Sequence, residues 1–290
     1  MFNGSLVALV TPFADGALDL ETLRELVHFQ LDSGIDGIVP VGTTGESPTL
    51  SHEEHKQVIQ VVVEEVAGRV PVIAGAGSNS TAEAIELTRF AKKIGADATL
   101  QIVPYYNKPT QEGLYQHFAA IAREVDLPIV LYNIPGRCAV NLEPRTIAEL
   151  AKIENIVAIK EATGQLDQVS EIATTTDLTI LSGDDSLTLP IASVGGKGVI
   201  SVVANIVPTD VKALTDAFLV GDFATARQWH NKLFKLAKAL LSLATNPIPI
   251  KAAMASMKMI SDELRLPLVS LSSSKKEQLV QILSDYGIHV

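Results

Sequence analysis

Apolar residues along the chain fall into two alternating patterns. One is a short unbroken run of aliphatic, mostly β-branched residues; the other is a longer stretch with apolar positions every three or four residues. Unbroken runs of this length belong to strands covered on both faces, as in parallel sheets packed by helices. Eight runs predict strands, at 5–10, 37–42, 70–74, 98–103, 128–132, 156–160, 178–181 and 198–202. Amphipathic stretches predict helices over 19–32, 111–124, 143–152 and 209–220. Ser51 with Glu54, and Ser80 with Glu83, each predict a capping box opening a further helix, the second running to Ile94. Strands alternating with helices at spacings of roughly 20–35 residues predict an α/β fold, a (β/α)8 TIM barrel. A doubly wound open sheet competes, but no Gly-x-Gly-x-x-Gly follows the first run. Past residue 221 the strand signals cease. Helical patterns over 223–243, 248–259 and 274–286, punctuated by Pro247, Pro249 and Pro267, predict a C-terminal helical extension. The expected organisation is a barrel over 1–221 and an extension over 222–290, packed on the barrel or on a neighbouring subunit.

The sixth run, Ile156-Val157-Ala158-Ile159, ends on Lys160 and Glu161 before a turn at Gly164. In a barrel the carboxyl ends of all strands meet on one face, where ligands bind. That rim gathers Thr43, Thr44, Glu46, Tyr105, Tyr106, Tyr132, Asn133, Arg137, Lys160, Gly183, Ile200 and Ser201. Taken singly, Lys160 reads as a solvated strand-end charge, the tyrosines as packing aromatics, the threonines as turn formers and Arg137 as a surface ion-pair residue. Taken together they carry coherent chemistry. A lysine sunk at a barrel mouth loses solvation, which disfavours the ammonium and frees a nucleophilic amine. Such an amine forms a Schiff base with a ketone or aldehyde, and the neighbouring carbon then loses a proton to become an enamine. Tyrosine and threonine hydroxyls can relay the protons. The turn Gly42-Thr43-Thr44-Gly45-Glu46 offers hydroxyls and N–H groups to one carboxylate, and Arg137 offers a fork to a second.

Composition narrows the partners. The 290 residues are a length that an α/β barrel fills as one domain, and 47% hydrophobic content supplies its core. Lys and Arg number 23 against 33 Asp and Glu, a net charge of −10. That argues against nucleic acid as a partner and means that local donors must hold any anionic substrate. Cys138 is the one cysteine, so no internal disulfide forms and a reducing, cytoplasmic setting is expected. The N-terminus has no basic stretch before an apolar one, and no apolar run approaches the roughly 18–20 residues of a membrane span. Lacking Cys/His clusters and zinc-type helix motifs, the chain is expected to use neither a metal nor a cofactor.

Five segments carry a family likeness: Val41-Gly42-Thr43-Thr44-Gly45-Glu46-Ser47, Pro104-Tyr105-Tyr106-Asn107-Lys108-Pro109, Tyr132-Asn133-Ile134-Pro135-Gly136-Arg137, Ile159-Lys160-Glu161-Ala162-Thr163-Gly164 and Leu181-Ser182-Gly183-Asp184-Asp185. In this order they resemble the dihydrodipicolinate synthase family of pyruvate-dependent class I aldolases, to which N-acetylneuraminate lyase also belongs. The likeness runs over nearly the whole chain. It implies a lyase condensing pyruvate with L-aspartate-4-semialdehyde, on the route to diaminopimelate and lysine. On that resemblance Lys160 is the Schiff-base lysine, and Tyr132 shuttles protons, linked through Thr44 to Tyr106 of a neighbouring subunit. Thr43 and Thr44 hold the pyruvate carboxylate, Arg137 meets that of the semialdehyde, and Gly183 and Ile200 line the pocket through backbone carbonyls. The family implies a homotetramer, a dimer of dimers. Arg137 and the Gly-Thr-Thr-Gly-Glu turn favour the synthase branch over the sialic acid lyases.

The resemblance also implies an allosteric lysine site at Ser47, His52, His55, Asn79, Glu83 and Tyr105. His52 and His55, three apart on a helix, share a face; Glu83 serves equally well as the partner of Ser80 in a capping box. Pro48 departs from the small residue of enteric members. Two other functions stay open from sequence: a different pyruvate aldolase on the same scaffold, and a non-catalytic small-molecule sensor.

Overall fold

The computed structural model describes residues 2–290. Eight strands form the main sheet: β1 (Gly4–Ala8), β2 (Gly37–Val39), β3 (Ile73–Gly75), β4 (Ala98–Ile102), β5 (Ile129–Asn133), β6 (Ile156–Glu161), β7 (Thr179–Ser182) and β8 (Gly198–Ser201). They bond in the order β2-β1-β8-β7-β6-β5-β4-β3, each pair parallel. The ring closes where Ile38 pairs with Val72 and donates its N–H to the Pro71 carbonyl at 3.0 Å. This is the expected TIM barrel.

The period of two along each strand sorts the side chains. Leu6, Val39, Ile73, Leu100, Val130, Ala158, Leu181 and Ile200 fill the interior as one cluster. Their neighbours Ile129, Leu131 and Ile159 face outward into a cluster shared with the helices. The surrounding helices are α1 (Leu20–Asp32), α2 (His52–Val66), α3 (Thr81–Lys93), α4 (Gln111–Glu124), α5 (Pro144–Leu150), α6 (Leu166–Thr175), α7 (Thr188–Ser193) and α8 (Pro208–Leu219). Helix α1 starts where the Asp19 side chain accepts the Thr22 N–H, and it buries Leu23, Leu26 and Val27. Each such side chain contributes roughly 2 kcal/mol over leaving it in water.

The Ser51/Glu54 capping box forms, with Ser51 N–H donating to Glu54 at 2.8 Å and Glu54 N–H to Ser51 Oγ at 3.2 Å. The Ser80/Glu83 box does not. Ser80 makes no side-chain cap bond; its own N–H donates to Ser78 Oγ at 3.0 Å, and the Glu83 carboxylate is taken by Ser78 Oγ at 2.5 Å and by His52 at 2.8 Å. Two further elements were not foreseen by periodicity. Helix α6 buries only Gln168, Val169 and Ile172, and α7 is six residues long with a proline inside. A two-residue hairpin, Phe13–Ala14 against Ala17–Leu18, lies between β1 and α1.

The extension comprises α9 (Phe223–Ser242), α10 (Ile248–Ser256) and α11 (Ser273–Tyr286). Leu236, Leu240, Ile250, Met254 and Leu279 share one core with Val211 of α8 and Leu26 of α1. The extension therefore packs on its own barrel. Helix α10 stops short of the expected 259, where Lys258 takes φ +60°. The second strand likewise stops at Val39, since Val41 takes φ +55° and starts the threonine turn.

Candidate active site

Residues 158 and 160 of β6 point into the barrel, so Lys160 stands one layer above Ala158 at the carboxyl rim. Its register partner on β5 is Tyr132, which places the amine nitrogen 4.2 Å from the tyrosine ring centroid. Lys160 is 6% exposed, and burial pulls its pKa down to about 8; Asp185 opposes this, and Arg137 adds to it. Burial pushes the Tyr132 phenol up to about 12, against a hydrogen bond with Thr43. The phenol thus stays protonated across the neutral range.

Gly183 lets the β7 rim approach this lysine: a Cβ there would lie 2.7 Å from Ala162 Cβ and 3.2 Å from Lys160 Cε. The next residues carry an acid that sequence reasoning did not single out. Asp185 accepts hydrogen bonds from Ser201 Oγ and from the N–H groups of Val202 and Val203 at 2.9 and 3.3 Å. Burial of the carboxyl pushes its pKa up to about 6, with these donors opposing the rise. The signal was present in the Gly183-Asp184-Asp185 motif, but nothing in the sequence says which aspartate turns inward. Ile200 and Ser201 of β8 are buried at the same rim. Asn133 faces away, bonded to the Leu142 N–H at 3.0 Å and to Glu161 at 3.2 Å.

The threonine turn sits across the rim from Lys160. Gly45 and Glu46 donate N–H groups back to Gly42 and Thr43 carbonyls at 3.1 and 3.2 Å. Thr44 is buried and its hydroxyl accepts from Asn246 Nδ2 at 3.0 Å. Arg137 lies on a short helical turn, Pro135–Cys138, and donates to the Asn246 carbonyl at 3.1 Å. Asn246 was not anticipated, since the extension gave no chemical signal. Thr43, Tyr132 and Arg137 line a cavity of about 220 Å³ that continues past Ser47, Pro48 and Tyr105.

Tyr106 does not join this cavity within the chain. It sits at φ +72° and is 90% exposed. Of the residues assigned to a lysine site, His52 reaches Glu83 at 2.8 Å and Asn79 Nδ2 donates to the Tyr105 carbonyl at 3.1 Å. His55 instead turns inward, its ring 2.7 Å from the Gly75 carbonyl. Burial lowers its pKa, against the hydrogen bond to the Gly75 carbonyl. Among the described residues no three His, Cys, Asp or Glu side chains are placed to hold a metal ion. No helix among the described residues is long and apolar enough to cross a membrane.

Comparison with known proteins shows the family of the chain. The model of the Dihydrodipicolinate synthetase family matches residues 1–286. The 4-hydroxy-tetrahydrodipicolinate synthase of Geotalea uraniireducens is 57% identical over 290 residues, covering 99% of this chain and all of the relative. Two crystal structures superpose closely over 99% of this chain. The chloride-inhibited dihydrodipicolinate synthase from Acinetobacter baumannii complexed with pyruvate has a TM-score of 0.97 at 45% identity, with its full length covered. The enzyme from Cyanidioschyzon merolae with lysine bound has a TM-score of 0.95 at 43% identity, with 99% covered. The likeness read from the five motifs is thereby borne out, and the chain belongs to the Dihydrodipicolinate synthetase family.

Proposed function

We propose that this chain is a 4-hydroxy-tetrahydrodipicolinate synthase, condensing pyruvate with L-aspartate-4-semialdehyde in the cytoplasm. The observation that carries the reading is Lys160: an amine enclosed at the barrel rim, pulled down to about 8 and stacked on Tyr132. The neutral amine adds to the pyruvate keto carbon, and loss of water leaves an iminium. Loss of a methyl proton then gives the enamine, whose carbon attacks the aldehyde. Attack of the semialdehyde's own amine on the imine closes the ring and returns Lys160. Tyr132, with Thr44 and a partner's Tyr106, carries the protons. Thr43 and Thr44 hold the pyruvate carboxylate, Arg137 holds that of the semialdehyde, and the Gly183 and Ile200 carbonyls line the pocket. The relative solved with pyruvate supports the donor substrate.

The exposure of Tyr106 favours an assembly in which each site is completed by a neighbour, in a homotetramer built as a dimer of dimers. L-lysine is proposed as an effector at Ser47, His52, His55, Asn79, Glu83 and Tyr105, supported by the relative solved with lysine bound. The division of labour assigns catalysis to residues 1–221 and support of the rim to 222–290. The test is product formation from pyruvate with a panel of aldehydes, the semialdehyde first, alongside borohydride trapping on Lys160. An adduct without turnover on the semialdehyde moves the chain to another aldolase branch; no adduct refutes the Schiff-base reading.

A further inference from the structure

Behind the threonine turn lies a second enclosed lysine that the reaction does not use. Lys251 of α10 and Glu46 at the end of the turn form an ion pair at 2.7 Å, with both side chains 0% exposed. The ammonium also donates to the Thr11 carbonyl at 3.0 Å and lies 4.3 Å above the Phe13 ring. The other Glu46 oxygen accepts the Arg265 N–H at 3.2 Å. Thr11 in turn donates its hydroxyl to the Gly45 carbonyl at 2.7 Å. The ammonium is thus shared between β1's trailing loop and the turn, and every group in the cluster has a partner.

The pair holds a backbone that would not hold itself. Glu46 takes φ +53° and Val41 φ +55°, at the two ends of the turn that presents Thr43 and Thr44. Non-glycine residues in this region are strained and persist only where their surroundings fix them. Five residues before Lys251, Asn246 grips Thr44 and Arg137 from the same segment. The extension therefore touches both groups that would receive the two substrate carboxylates.

We infer that Lys251 is a positioning residue: through its enclosed ion pair with Glu46 it fixes the threonine turn in the geometry that receives the pyruvate carboxylate. This rests on the pyruvate reading of the site. A buried pair retained for packing alone would be replaceable by neutral residues of similar shape without consequence for substrate. The experiment is Lys251→Met in the full-length protein, read by separate KM and kcat values, by borohydride trapping at saturating pyruvate, and by hydrogen exchange of the 42–47 amides. The expected result is a KM for pyruvate raised about tenfold or more, with kcat per trapped site within about threefold and faster exchange in the turn. The KM for the semialdehyde moves less. An unchanged pyruvate KM overturns the inference, whatever happens to Tm.

Lys251→Met leaves the Glu46 carboxylate enclosed without its ion-pair partner, which can prevent folding. The double variant Glu46→Gln with Lys251→Met removes both charges and is read in the same way; a wild-type KM there also overturns the inference. Wild-type protein that forms no adduct refutes the pyruvate reading and not the clasp. Exchange at the 42–47 amides then decides the clasp by itself.

Discussion

The pH dependence of adduct formation is the most direct consequence of where Lys160 sits. Its pKa falls from an ordinary 10.5 to about 8 through burial. At pH 7 a lysine at 8 is about 9% free amine, against about 0.03% for a lysine at 10.5, a gain of roughly 300-fold in nucleophile. The two cases separate most clearly above neutrality. Between pH 8 and 10 the free amine of the perturbed lysine rises only about twofold, whereas that of an ordinary lysine rises roughly 80-fold. The assay is the rate of borohydride-trapped pyruvate adduct at limiting pyruvate, measured from pH 6 to 10 in rapid quench. The trace should climb about 50-fold from pH 6 to 8 and then level off. A rate still climbing tenfold per unit between pH 8 and 10 would sink the argument that burial activates this amine.

Other consequences follow from the same geometry. Asp185 holds the Lys160 pKa up, so Asp185→Asn should lower the midpoint of that profile and raise trapping at pH 7 by about twofold or more; an upward midpoint contradicts it. Tyr106→Phe and Lys160→Met should each abolish most turnover, yet mixed and reassociated subunits should recover up to about a quarter of wild-type activity. No recovery in verified hybrids would mean that Tyr106 does not act across subunits. Gly75→Ala places a Cβ 2.1 Å from the Val41 carbonyl oxygen and should cost roughly 3 kcal/mol or more in chemical unfolding. Millimolar L-lysine should inhibit turnover, and His52→Ala should blunt that inhibition; equal inhibition of both proteins rules out His52 as a contact.

Much of this was legible in the sequence because a barrel makes strand order into spatial order. Once eight apolar runs are found, the residue after each run lies on one rim, so Thr44, Tyr132, Lys160 and Gly183 could be brought together without coordinates. What escaped depends on contacts that no period encodes. Asn246 and Lys251 come from the extension, 202 and 205 residues from their partners Thr44 and Glu46. The Ser80 box failed for a related reason: the motif specifies one local bond, and the Glu83 carboxylate found Ser78 and the distant His52 instead. His55 shows the limit of helical faces, because three residues from His52 it turns to the barrel while His52 meets Glu83 in solvent.

The two enclosed lysines show why charge and burial alone do not identify a nucleophile. Burial lowers the pKa of both. Lys251 nevertheless has a carboxylate oxygen at 2.7 Å and a carbonyl at 3.0 Å. A substrate could take its lone pair only by breaking that ion pair and leaving the enclosed Glu46 without it. Lys160 makes no hydrogen bond among the described residues; its contact is the face of Tyr132. The nearby Asp185 carboxyl is committed to Ser201, Val202 and Val203, so it acts on Lys160 through space and not as a proton-holding partner. An amine with a depressed pKa and no partner to surrender is ready to react, and one with a depressed pKa and two partners is a strut. The difference lies in the second set of neighbours, which the extension supplies to Lys251 and the barrel withholds from Lys160.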